Sequence, residues 1–118
     1  MRKSALLLVA AIAAAPLAAE AKGGHSCPVR GSWTFPRKAN LPSGAAAALG
    51  FPLAERGAPF QVSDSIGPGP RLPFDRFVLA HQTDCILTIR YEHGGIAHTF
   101  ETAVLQYQGR RWVLVRRR

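Results

Sequence analysis

The chain has 118 residues, with 15 Lys+Arg against 7 Asp+Glu, a net charge of +8, and two cysteines. That length supports one small domain with a modest core. The basic excess favours anionic partners without choosing among them.

Arg2 and Lys3 precede an uncharged apolar run, Ala5 to Ala15, which Pro16 ends; Ala19-Glu20-Ala21 then supplies a small-x-small pattern. This is the build of a secretory leader, and it predicts cleavage after Ala21. The apolar run falls several residues short of the ~20 needed to span a bilayer, so no transmembrane segment is expected after cleavage. Residues 22–118 are read as a single small disulfide-stapled domain. It keeps thirteen of the cationic residues, eleven of them Arg, and six of the carboxylates, for a net charge of +7. Trimming of Lys22 would expose Gly23-Gly24-His25, a terminus whose amine, amides and imidazole can wrap a square-planar copper ion.

Cys27 and Cys85 both lie in the exported part, and an even count in an oxidising compartment predicts a disulfide. Closing that loop contributes on the order of 4 kcal/mol by the chain-entropy argument. The localisation expected is secreted or periplasmic. With both thiols consumed, no cysteine nucleophile is left.

Ser32-Trp33-Thr34-Phe35 alternates large apolar and polar residues and predicts a short strand ended by Pro36. Ser43 is a candidate N-cap for a helix over Ala45 to Leu49, with Gly50 as its stop. Phe51 to Gly57 is expected to add a second helical turn or two, with Pro52 near its start. Gly67-Pro68-Gly69-Pro70-Arg71-Leu72-Pro73 can be neither helix nor central strand and divides the chain.

Residues 76–115 hold no proline and are rich in β-branched and aromatic side chains, which predicts four antiparallel strands. The first runs from Arg76 to His81, with Phe77, Leu79 and His81 on one face. Gln82-Thr83-Asp84 turns it back onto a strand beginning at Cys85. Gly94-Gly95 reads as a two-residue hairpin loop, which pairs His93 with Ile96, Tyr91 with His98 and Ile89 with Phe100. One face then collects Cys85, Leu87, Ile89, Tyr91, Ile96, His98, Phe100 and Val104, and Arg90 and Glu101 meet diagonally on the other. Leu105 and Tyr107 break that parity and call for a bulge or a strand buried on both faces. Gln108-Gly109-Arg110 offers the last turn, before Trp112 to Val115. The fold class is therefore α+β: a short N-terminal strand and a broken helical region packed on a four-stranded antiparallel β-meander. A mainly β chain is the alternative.

Chemistry-bearing residues are sparse. In this register His93 and His98 share a face at roughly 7–8 Å, candidates for a pH-sensitive or metal contact. A structural zinc site needs four protein ligands and a catalytic one three, and no further ligand is in view, so no metal or cofactor is assigned. The carboxylates are scattered, and the serines lack a nucleophile-elbow pattern. Arg110-Arg111 at a turn and Arg116-Arg117-Arg118 at the end of the chain are candidate anion-binding residues, with Tyr107 and Trp112 near for stacking. Nucleic acid is disfavoured for an exported chain without a recognition motif. The expectation is a non-enzymatic exported binding domain that contacts anionic envelope material or a protein partner through a basic surface. A periplasmic inhibitor or accessory protein of an envelope hydrolase is one alternative; a small hydrolase or metal-handling protein is another.

Overall fold

The computed structural model describes residues 27–118. The expected leader, its expected cleavage point and the Gly23-Gly24-His25 stretch lie outside these residues. The alternating segment Ser32–Phe35 forms β1, and a 3-10 turn follows at Lys38–Asn40. The alanine run gives the helix α1, Ala45–Ala48, after which Leu53–Ala54 forms the two-residue strand β2. The proline-free half supplies β3 (Asp75–Thr83), β4 (Ile86–His93), β5 (Thr99–Gln108) and β6 (Arg111–Arg117).

These strands make one open sheet in the order β1-β3-β4-β5-β6. The expected antiparallel meander is present, and β1 extends it by pairing antiparallel with the far half of β3. β2 pairs parallel with the first two residues of β3. The architecture is mostly antiparallel sheet with short helical pieces, within the α+β or mainly β class expected. One face of the sheet, the inner face, packs Phe77, Ala80, Leu87, Ile89, Tyr91, Ala103, Leu105 and Trp112 against Ala45, Leu49 and Leu53. Among the described residues no helix is long and apolar enough to cross a membrane.

The segment expected to form a second helix does not. Phe51 packs on Tyr91 with ring centroids 5.2 Å apart, and Leu53 and Ala54 are buried as they join the sheet. The Glu55 carboxylate accepts backbone N–H bonds from Lys38 (2.7 Å), Ala39 (2.9 Å) and Arg56 (2.7 Å), tying the segment to the 3-10 turn. These tertiary contacts outweigh the modest helical propensity of a few residues. Ser43 does not cap α1 either: the N-cap position is Gly44, at φ 83°.

The β4–β5 hairpin differs from the sequence expectation in register. His93 pairs with Thr99 and Tyr91 with Glu101, so the loop is 94–98 and not Gly94-Gly95 alone. The shift is an odd number of residues and therefore turns β5 over. Ala103 and Leu105 become core, while Ile96, His98 and Phe100 are exposed. The parity break expected at Leu105 and Tyr107 disappears, because these two continue the inner face that Ala103 begins. Arg90 and Glu101 do not meet, since Glu101 now lies beside Tyr91 on the inner face.

The loop is held open by a neighbour, not closed on itself. Gly94 N–H donates to Phe74 O (2.7 Å), Gly95 N–H to Gln61 O (3.1 Å), and Ile96 N–H to Asp64 Oδ1 (3.3 Å). A Cβ at position 94 would lie 1.8 Å from Gln61 O. Glycine is needed there so that the 60–64 segment can approach, not to make a tight turn.

Strand β3 carries a bulge at Val78, between the Phe77–Tyr91 and Leu79–Arg90 pairs. The extra residue reverses the alternation, so Phe77 faces inward with Ala80 and Gln82, and Leu79 and His81 face outward. The expected grouping of Phe77, Leu79 and His81 on one face therefore fails. The turn after β3 is Asp84-Cys85, and it is anchored twice. Cys85 is disulfide-bonded to Cys27 with Cα atoms 5.7 Å apart. Asp84 exchanges bonds with Gly31, its N–H donating to Gly31 O (2.8 Å) and its carboxylate accepting from Gly31 N–H (2.9 Å).

Substituting Gly94→Ala forces the 60–64 segment off the hairpin and is expected to cost roughly 1–3 kcal/mol, as overpacking does. Urea unfolding measures it; stability equal to the parent would mean that this close approach does not occur.

Candidate functional site

Strand β6 contains the second bulge. Val104 pairs with Arg116 and Leu105 with Leu114, leaving Val115 without a partner. Before the bulge, Trp112 and Leu114 point inward; after it, Arg117 takes the inward position opposite Ala103. Arg117 Nε donates to the Tyr91 hydroxyl (2.7 Å), which in turn donates to Glu101 Oε2 (2.9 Å). The guanidinium also sits over the Phe51 ring, 4.2 Å from its centroid. Arg117 is thus a structural residue that closes the core over Tyr91.

Its neighbours go the other way. Arg116 lies beside Val104, and Arg118 exchanges backbone bonds of 2.8 Å with Thr102. Thr102 pairs with Arg90, so Arg90, Thr102 and Arg118 form one lateral row on the outer face. Thr88, Val104 and Arg116 form the next row. With strands ~4.8 Å apart, the three arginines fall within a patch roughly 10 Å across. The guanidinium of Arg90 also leans over Phe100, 5.2 Å from its centroid. Arg110, in the β5–β6 turn at φ 72°, and Arg111, opposite Gln108, stay exposed at the other end of β6. Of the five arginines expected to bind anions, the structure groups Arg116 and Arg118 with Arg90 and diverts Arg117 inward. Tyr107 and Trp112 pack against each other at a tilt on the inner face, ring centroids 5.3 Å apart, away from these guanidinium groups.

The carboxylates of residues 27–118 are committed elsewhere. Glu55 caps backbone N–H groups; Asp64 and Asp84 accept from the loop and the β1 approach. Asp75 is buried and accepts from His93 Nδ1 at 2.8 Å. Glu92 pairs with Arg76 and accepts from His98 Nε2 at 2.9 Å. Glu101 receives the Tyr91 hydroxyl and lies 3.7 Å from Arg117. Among the described residues, none of the ion pairs involves Arg90, Arg116 or Arg118.

His93 and His98 are not on one face, as the two-residue loop had implied. His93 follows Tyr91 on the inner face and stacks on Phe74, while His98 lies with Glu92, between Phe60 and Phe100. Each imidazole serves a different carboxylate. Burial alone would raise the Glu92 carboxyl, but the Arg76 and His98 bonds outweigh it and hold it below the usual range. His81 sits on the outer face among hydroxyls, with Ser32 Oγ at 3.1 Å, Thr34 Oγ1 at 3.2 Å and Thr83 Oγ1 at 3.3 Å. Among the described residues no three His, Cys, Asp or Glu side chains gather closely enough to hold a metal ion.

Among several concave features is an open cavity of about 420 Å³ on the inner side, lined by Val29, Trp33, Phe35, Pro42, Gln82 and Trp112, with Ser43 and Tyr107 at hand. Sequence reading missed it because its walls come from residues far apart in the chain. It also missed Arg90, whose place beside Arg116 and Arg118 depends on two strand registers. No family model, no curated protein and no solved structure matches this chain.

Burial, and then the bond to Glu101, push the Tyr91 phenol up to about 12 from its ordinary 10.0, against the opposing pull of Arg117. The folded state therefore favours the protonated phenol. Its contribution is complete below pH 10 and is lost as the pH rises towards 12. Unfolding midpoints measured across that window are expected to fall, and the Tyr91 part of the fall should vanish in Tyr91→Phe. An equal slope in both proteins would contradict the buried-phenol arrangement.

Proposed function

We propose that this chain is an exported, non-enzymatic domain that binds anionic envelope material through the outer face of its sheet. The observation that carries the reading is the grouping of Arg90, Arg116 and Arg118 among threonines, with the carboxylates, Glu92 on the same face included, engaged by other groups. Guanidinium groups present planar donor forks to phosphate or carboxylate, and the Thr102 hydroxyl adds a donor between Arg90 and Arg118, with Thr88 beside Arg90 on the same strand. A catalytic role for a carboxylate would have to draw on one already engaged in holding the fold.

Export is supported by the leader pattern of residues 1–21 and by the Cys27–Cys85 disulfide, which suits an oxidising compartment. A secreted or periplasmic setting puts phosphate- and carboxylate-bearing polymers and lipid headgroups within reach. Leu79, Ile86 and Phe100 are exposed on the same face, and this favours a protein partner as the second reading, in the manner of an inhibitor or accessory of an envelope hydrolase.

Binding of residues 22–118 to phosphatidylglycerol vesicles and to soluble polyglutamate is expected to weaken about tenfold or more as salt rises from roughly 0.02 to 0.2 M. Changing Arg90, Arg116 and Arg118 together to Ala should abolish it, whereas Arg110→Ala should leave most of it. Salt-indifferent binding, or equal loss from Arg110→Ala, would overturn the assignment. A tight one-to-one protein complex unaffected by salt would favour the partner reading instead.

A further inference from the structure

The cavity on the inner side has a chemistry unlike that of the basic face. Its walls hold both tryptophans of the chain, Trp33 and Trp112, together with Phe35 and Tyr107, and none of its lining residues is charged. In a protein of net charge +8 this is an electrically quiet place. The volume of about 420 Å³ lies in the range of small-molecule sites, ~300–1,000 Å³.

The aromatic walls are presented, not collapsed. Trp33 is 41% exposed although it lies on the side of β1 that faces the core. Gly31, at φ 131°, lies under its indole, where an added Cβ would come 2.8 Å from Cη2. The indole is therefore seated on bare backbone at the mouth of the cavity. Opposite it, Trp112 is buried against Tyr107 and forms a fixed inner wall. The polar groups available are the Ser43 hydroxyl and the Gln82 carboxamide. Gln82 Nε2 already donates to Asp84 O at 2.8 Å, which leaves the amide oxygen as an acceptor.

Aromatic planes with a few neutral hydrogen-bonding side chains suit a ligand that has apolar C–H faces and hydroxyls at its edge. An anion would find no counter-charge here. A proline-rich peptide is the other occupant that aromatic walls accept, and the test below separates it from a sugar. We propose that this cavity is a binding site for a neutral oligosaccharide, with a pyranose ring stacked on Trp33 and its hydroxyls bonded to Ser43 and to the Gln82 oxygen. The site is separate from the outer face, and either could exist without the other.

Both tryptophans report on the cavity, so intrinsic fluorescence reads its occupancy directly, with calorimetry as a second readout. The probes are tri-N-acetylchitotriose, cellotriose and maltotriose, with a proline decapeptide as the competing occupant. A saturable response to at least one sugar is expected. It should weaken about tenfold or more in Trp33→Ala by calorimetry and be largely kept in Trp33→Phe, which retains an aromatic face. The triple change of Arg90, Arg116 and Arg118 to Ala should leave it unaltered, which separates this site from the basic face. No response to any of the three sugars, a response only to the peptide, or sugar binding that survives Trp33→Ala would overturn the proposal. Circular dichroism of each variant shows whether the fold is intact; if Trp33→Ala is unfolded, Ser43→Ala, which removes a hydroxyl bonded to the sugar, is expected to weaken sugar binding in its place, and undiminished binding there would overturn the proposal.

Discussion

Val115 has no partner across the sheet, and that one extra residue decides what the C-terminal strand shows to solvent. Without it the alternation of Trp112 and Leu114 would continue, placing Arg116 inward and Arg117 outward. The bulge instead brings Arg117 over Tyr91 and Phe51 and frees Arg116 and Arg118 to stand beside Arg90. Core closure and the basic face are thus consequences of the same irregularity. The bulge at Val78 acts in the same way on β3, turning Gln82 towards the aromatic cavity and His81 towards the outer hydroxyls.

The distribution of charge follows from how few carboxylates there are. The fold spends them on backbone capping at Glu55, on the turn at Asp84, on two histidine pairs and on the Tyr91 network. Each use satisfies buried or half-buried donors that would otherwise cost stability. The arginines outnumber them, and those left over gather where the registers put them. Arg111, Arg116 and Arg118 also line β6, one edge of the sheet, where charge discourages pairing with another chain. The same residues can serve solubility and recognition together.

The meander, β1 and the disulfide were legible in the sequence, because alternation, the proline boundary and cysteine parity are local or arithmetical signals. What was not legible depended on contacts between distant segments. Gly94-Gly95 resembles a tight turn, yet its glycines admit the 60–64 segment, and the true register brings Ala103 and Leu105 into the core. Phe51 to Gly57 has the punctuation of a helix, yet Tyr91, β3 and Glu55 hold it as a two-residue strand followed by a turn. His93 and His98 had been placed together by the wrong register and belong to separate ion pairs. Of the arginines that were candidates from sequence, only the two on the outer face after the bulge join Arg90, and no local pattern announces a bulge.

The surface proposed to receive anionic material is the outer face, and not the β5–β6 turn or the aromatic cavity. Residue-resolved NMR of the 22–118 domain, titrated with soluble polyglutamate at low salt, tests it most directly. Saturable shifts are expected at Arg90, Thr102, Arg116 and Arg118 that reverse on adding salt, with the Trp33 and Trp112 indole signals unmoved. Shifts centred on Arg110 or on the tryptophans, or spread evenly over all arginines, would contradict it.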